Sequence, residues 1–513
     1  MSVNNTTYTM LPRTPLHRWL AVAFFLALVF FFHPTFTGNS ISIISDSAPP
    51  IHSSQLGTLG VDDLSFVRQV LKENGIGPEI TYASRTIQYV PDAKERKSIT
   101  EVDDMLLPNE FAEITIDRKV SLPAGKPLKL HVKQSPRPDQ VDASSFIFGA
   151  STTFERFSAQ KTSPIKEWTR WLTDGNGHSN GAGLVLALFN TSSAEIAHAT
   201  EQLHAVGINA TVVASDMTLD MPGRYVALVS MLYNHPTRDS RKFFSLVDDD
   251  TFFPCLSTLM DTLSRYDTAK PYYIGTFTER VDWMIGNRAP MAYGGGGIFL
   301  TASVAREIIK LPCLDKDQKG EYILKADQGD RLLYNCLHDH TEIRLTYLPL
   351  LHQSDQFGDS SGFYESGQQP LSLHHYKSWH HIEPDKLHVV SDACGEDCVL
   401  QRFQFKDNFI LSNGFSVAHY PKGIDFDPLI MEGTFDNGEG DMRDVSLSYT
   451  FGGLRKDLSK TGRKRAWELL DARREGDGRV RQIYLKRRGD GRWVAEGEEH
   501  PDRDSIVVLF WMP

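Results

Sequence analysis

The chain has 513 residues, with 54 basic against 65 acidic side chains and a formal net charge of −11. That length exceeds one ordinary core, so two or more folded units are expected. The acidic balance gives no bulk reason for nucleic-acid binding, and the 41% hydrophobic, 11% aromatic content is that of a globular protein.

The N-terminus reads as a membrane signal. Trp19 to Phe32 is uninterrupted apolar sequence preceded by Arg13, His17 and Arg18, and no acid occurs before Asp46. A span needs roughly 17–25 residues, so the anchor is drawn over 19–36 behind a cytosolic tail, 1–18. A cleaved signal peptide competes, but His33-Pro34-Thr35-Phe36 stands where small residues would be expected. The positive flank puts the tail in the cytosol and the body in the lumen.

Residues 37–141 read as a stem, rich in Ser and Pro, with a short helix near Leu64–Leu71 and strand candidates between Phe111 and Leu130. A new regime fills 142–388. Phe146-Ile147-Phe148-Gly149, Gly183 to Phe189 and Asn209 to Ser215 read as buried strands, separated by helices over Phe154–Leu172 and Ser193–Val206. Strands alternating with helices predict an α/β domain with a mostly parallel sheet. Asn190 and Asn209 open glycosylation sequons, meaningful only in a luminal domain.

The next strand ends in Asp248-Asp249-Asp250. Three adjacent carboxylates repel one another, so either a wet turn or a divalent cation is expected there. Downstream, Tyr293-Gly294-Gly295-Gly296-Gly297 permits close backbone approach, or is merely a flexible turn. Asp327 and Asp330 precede an apolar helix over Leu332–Leu337, where a carboxylate also serves as a cap. His374-His375 offers metal ligands, but adjacent residues of a strand face opposite ways, so one at most is expected to bind. From 389 to 513 short alternating segments predict a small β-rich module, with Gly489-Asp490-Gly491 as a hairpin turn. The basic residues between Arg455 and Arg488 read as a solvated face, with an anionic partner or acceptor as the alternative. Five cysteines lack zinc-finger spacing and a Cys-x-x-Cys motif. In a lumen, Cys313–Cys336 and Cys394–Cys398 are the expected disulfides.

Taken in order, Val247–Asp250, Met291–Thr301 and Leu371–His375 resemble the fringe-like β-1,3-glycosyltransferases of glycosyltransferase family 31, which has plant and fungal Golgi members. The resemblance covers 145–384. It implies a GT-A nucleotide-sugar-binding domain in a single-pass type II Golgi membrane protein. It also implies a UDP-sugar donor, a glycan, glycoprotein or glycolipid acceptor, and Mn²⁺ or another divalent cation. Residue by residue, it implies Asp248, Asp250 and His374 (alternative His375) at the metal, and Asp330 (reserve Asp327) as the base. Phe148, Gly149, Ser151, Thr152, Asp248, Asp249, Gly295 and Gly296 are implied at the nucleotide sugar, and Cys313–Cys336 gains support as a disulfide. The usual acidic pair is incomplete, because Gly329 precedes Asp330.

The implied activity is inverting transfer of a hexose, galactose first, from UDP to a hydroxyl. That chemistry needs one carboxylate as general base and one hard cation for the departing diphosphate. Trp283 suits either a stacking platform for sugar or packing. The competing function is a non-catalytic glycan-binding or scaffolding protein of the same fold.

Overall fold

A computed structural model describes residues 64–118, 126–435 and 450–513. The expected tail, anchor and first part of the stem lie outside the described residues, as does part of the expected C-terminal module, 436–449. Among the described residues no helix is long and apolar enough to cross a membrane.

The described residues open with the helix Ser65–Glu73 and four strands, β1 (Glu79–Ala93), β2 (Thr100–Val102), β3 (Ala112–Thr115) and β4 (Leu128–Lys133). Then come β5 (Phe146–Thr153), β6 (Gly183–Phe189), β7 (Ala210–Ala214), β8 (Phe243–Leu246), β9 (Tyr273–Gly275), β10 (Ile298–Thr301) and β11 (Leu345–Tyr347). The last six are β12 (Arg402–Phe405), β13 (Phe409–Ser412), β14 (Ser416–His419), β15 (Arg465–Arg474), β16 (Val480–Lys486) and β17 (Asp504–Met512).

β5 to β11 make one sheet in the order β11-β9-β10-β8-β5-β6-β7. Its centre is parallel, and β6 is buried along nearly its whole length, as its unbroken apolar sequence requires. The sheet is mostly parallel, as expected, and the exception is β10, which runs antiparallel to both β8 and β9. That reversal builds the site. Ile298 pairs with Leu246, so the glycine turn before β10 lies beside the aspartates after β8.

The remaining strands form a second sheet, and here the expected division of the chain needs correction. β1 pairs in parallel with β17, and β2 with β12, so the stretch assigned to a stem from residue 64 onward shares a ten-stranded sheet with the C-terminal strands. The alternating burial of β4 is that of a packed strand. One apolar core joins the two sheets, running from Phe146 and Leu184 to Leu130, Trp467 and Val507.

Two local expectations also change. The helix expected over Phe154–Leu172 is two helices, Phe154–Ser158 and Ile165–Leu172, with Pro164 capping the second. Gly489-Asp490-Gly491 is no tight hairpin, because a longer loop with a short helical turn at Gly491–Trp493 joins β16 to β17.

Candidate active site

After β8 the chain turns at once. The Thr251 hydroxyl donates to the carbonyl of Gly295 (3.0 Å) and accepts from the Asp248 amide (3.0 Å). Phe252 and Leu373 exchange two backbone hydrogen bonds, of 2.9 and 2.8 Å. These contacts hold the aspartates, the glycine turn and the histidine segment against one another.

The histidine pair departs from the expected alternation. His375 has φ +51°, so the backbone turns and both rings lie together, with centroids 3.7 Å apart. Asp250, His374 and His375 each bring a ligand atom into one group, all within 4.8 Å. His375 therefore joins His374 rather than replacing it. His374 Nδ1 lies 3.0 Å from the carbonyl of Gln353, which can only accept, so that nitrogen carries a proton. Nε2 is left facing Asp250 Oδ1 at 3.0 Å and Asp248 Oδ2 at 3.4 Å. Burial alone would lower the His374 pKa, but the Asp250 and Asp248 carboxylates outweigh it and raise it well above the usual value. For Asp250 burial acts upward, and His374 overcomes it to hold the carboxyl well below its ordinary range. A carboxylate beside two imidazoles, one with its far nitrogen already fixed, is a donor set that fits a divalent cation.

The His375 ring is steadied from behind. Asp355 Oδ1 lies 3.4 Å from its Nε2, while Asp355 Oδ2 accepts from the Thr278 hydroxyl at 2.5 Å. Beyond this lies a buried pair, Glu279 with His352, 3.1 Å apart. Gln353, Asp355, Thr278 and Glu279 escaped the sequence reading. A polar run such as His352-Gln353-Ser354-Asp355-Gln356 reads as an exposed loop, whereas it is buried throughout.

Several expected donor contacts are placed elsewhere. The Phe148 ring is fully buried against Trp171 (4.9 Å) and Phe253 (5.6 Å), and Gly149 faces Leu232 in the core. Neither reaches the site, because a strand buried on both faces gives every side chain to packing. Ser151 and Thr152 stand at the open end of β5, and the Thr152 hydroxyl donates to Asp249. Asp249 is held by Arg156 in a bidentate pair (2.6 and 2.8 Å), a partner with no sequence signal.

The glycines make room for the protein's own side chains. A Cβ on Gly295 would fall 2.2 Å from His374 Nδ1, and one on Gly296 would fall 2.6 Å from the Thr276 methyl. Both residues are buried, and the space beside their α-carbons is filled by His374 and Thr276.

Across the same turn, Asp330 in the first turn of the helix Gly329–His340 accepts from the Gly294 amide at 3.1 Å. Burial, with the charge of Asp248, pushes its carboxyl up to about 6 against the Gly294 and Arg331 amides. Asp327 is exposed before that helix. The missing acid has a steric cause: a Cβ on Gly329 would fall 2.3 Å from Tyr225 Cβ. Tyr225 is itself 8% exposed, its hydroxyl has no hydrogen-bond partner among the described residues, and Asp248 and Asp330 both act on it electrostatically.

Cys313 is disulfide-bonded to Cys336 and Cys394 to Cys398, while Cys255 is buried and free. Asn190 and Asn209 are exposed.

The arrangement is thus a mixed α/β domain with a candidate cation centre at the mouth of its sheet. Residues 286–393 match the family DUF604, described as a protein of unknown function. Two curated proteins are similar over a third of the chain, the β-1,3-glucosyltransferases of Mus musculus and Homo sapiens. The identities are 27% over 176 residues and 28% over 169, covering 34% and 33% of this chain. The matches take in 32% and 30% of those proteins, so the chain spans about a third of the length of the relatives it matches. Among solved structures, the galactosyltransferase LgtC with donor and acceptor sugar analogues is 11% identical. It covers 45% of this chain and 86% of its own, with a TM-score of 0.29. The mannosyltransferase PcManGT from Pyrobaculum calidifontis, with GDP-Man and Mn²⁺, is 10% identical over 34% and 49% of the two chains, with a TM-score of 0.23.

Proposed function

We propose that the chain is a metal-dependent, inverting β-1,3-glycosyltransferase that moves a hexose from a UDP-sugar to a glycan hydroxyl. The finer family reading is the fringe-like one of plant and fungal type. One observation carries the proposal: a cation-ligand group and a separate, proton-accepting carboxyl stand on either side of one glycine turn. The names of the two curated relatives add UDP-glucose to UDP-galactose as donors to be tried, with UDP-GlcNAc third.

Asp250, His374 and His375, with Asp248 alongside, would hold the cation, which when bound would neutralise charge on the departing diphosphate. Asp330 accepts the proton of the acceptor hydroxyl as its oxygen attacks the anomeric carbon. The bond from that carbon to the diphosphate oxygen breaks, and UDP leaves with the electron pair. A carboxyl raised to about 6 is matched to such a transfer near neutral pH. The place proposed for this chemistry is the Golgi lumen behind a type II anchor, which agrees with two disulfides and two exposed sequons.

The test is UDP release from the three donors with Mn²⁺, with other divalent ions and with chelator. Release that depends on the cation is the expected result. Purified protein that cleaves none of the donors under any of these conditions, yet binds glycan, would favour the non-catalytic alternative.

A further inference from the structure

Beside the cation ligands stands a short wall of aromatic rings. The Trp379 ring stacks on His375 at 3.7 Å, and Phe357 lies 4.5 Å from Trp379. Trp283 closes the group, 6.4 Å from Phe357 and 6.3 Å from Trp379. All three rings are half-buried, whereas Trp168, Trp171 and Trp511 disappear into the core. The Arg280 guanidinium sits 4.4 Å from the Trp283 ring centre and 5.3 Å from that of Phe357. Asp282 fixes that guanidinium with bonds of 2.6 and 3.1 Å. The wall is therefore held in place, partly open to solvent, and continuous with a candidate cation ligand.

We infer that Trp283 and Phe357 form the platform on which the acceptor sugar stacks. The inference rests on the transferase reading above and adds which substrate the wall serves. A pyranose ring has C–H faces that suit an aromatic plane and hydroxyls at its rim that suit charged neighbours. Arg280 and Asp282 supply those neighbours. Position selects the acceptor over the donor. Asp250 and His374 take the diphosphate end, and Trp379 already fills the space against His375. Phe357 and Trp283 stand one ring further out, where an incoming sugar can dock beside a donor already bound. Arg280 lies against both rings and presets the surface before any sugar arrives.

The test uses the full chain with the donor found above and Mn²⁺, and with lactose, cellobiose and methyl α-fucoside as acceptors. For Trp283→Ala, the KM for the best acceptor should rise roughly tenfold, the scale of losing one stacked aromatic surface. The donor KM should move by less than about threefold, a difference of under 1 kcal/mol. Trp283→Phe should recover most of the loss, and Phe357→Leu should repeat it more weakly. A larger rise in donor KM than in acceptor KM would overturn the inference and assign the wall to the uracil base. Unchanged acceptor KM in both variants, with circular dichroism showing them folded, would overturn it as well. If the wild-type chain cleaves no donor, the transferase reading fails separately, and tryptophan emission titrated with the same sugars decides the platform. Saturable quenching lost in Trp283→Ala upholds it, and its absence in the wild type sinks it.

Discussion

Two ionic clusters of the described residues, one beside each sheet, are closed in different ways. In the second, Lys464 donates to Glu365 at 2.6 Å and to Glu432 at 3.0 Å. Arg455 donates to the same Glu432 oxygen as Lys464, while the Leu458 amide and the Ser416 hydroxyl take the other oxygen of Glu432 and of Glu365. Every charge there answers another within the fold. In the first, Asp250 and Asp248 face one ring nitrogen of His374, His375 leans on Asp355, and Asp330 stands apart across the glycine turn. Carboxylates outnumber cationic side chains at that place, and under the proposed function a cation would complete it. A self-satisfied cluster serves the fold, while an unbalanced one at the end of a parallel strand serves a ligand.

Substitutions can break that contrast. Asp250→Asn should abolish cation-dependent UDP release, by about a thousandfold or more if the cation supplies several kcal/mol. Its thermal unfolding should stay close to wild type, and retained turnover would remove Asp250 from the role. Asp330→Asn should cost about 10²–10⁴ in transfer, the span of a general base, while calorimetry still detects Mn²⁺ and UDP binding. In the other cluster, Lys464→Met leaves Glu365 buried without its cation and Glu432 with Arg455 alone. That variant should lose about 3–5 kcal/mol of stability in denaturant titration, with the soluble remainder keeping its Mn²⁺ affinity.

The legibility of the two regions differs for the same reason. The first sheet announced itself through continuous apolar runs such as Gly183–Phe189, and the aspartates follow one of them, at the end of β8. That both histidines converge depends on one positive φ at His375, which no spacing encodes. Arg156 meets Asp249, and Asp355 meets His375, through folding alone. The second sheet was hidden more deeply. β1 and β17 are separated by most of the chain, and a parallel pair has no turn to give it away. Periodicity therefore marked those strands without showing that a supposed stem and a supposed module were one sheet.

A smaller effect would sharpen why the acidic pair is incomplete. Restoring even a methyl group by Gly329→Ala pushes a Cβ against Tyr225, which is wedged between Gly329 and Gly294. Overpacking of this kind costs about 1–3 kcal/mol, so the melting temperature should fall, and Tyr225→Ala should relieve part of the clash in the double variant. Equal melting temperatures for Gly329→Ala and wild type would mean that the packing reason is wrong.

The last test separates the clusters by pH. Without a cation, His374 has a pKa raised well above the ordinary value of about 6.5. Its pairing with Asp250 therefore stabilises the fold fully below that value, and the contribution is lost as pH rises through the higher folded one. A cation must displace the proton on Nε2, so apparent Mn²⁺ affinity should climb by up to about tenfold per pH unit until the folded pKa is passed. Calorimetry in two buffers of different ionisation enthalpy would read the released proton directly. His374→Gln should flatten the dependence, because the group that exchanges proton for cation is gone. Lys464→Met should leave the slope intact, since that lysine has only carboxylates of the fold to answer. Wild-type affinity that stays flat between about pH 6 and 8 would mean that the ring is already neutral beside Asp250, and the unbalanced cluster would lose its distinction from the closed one.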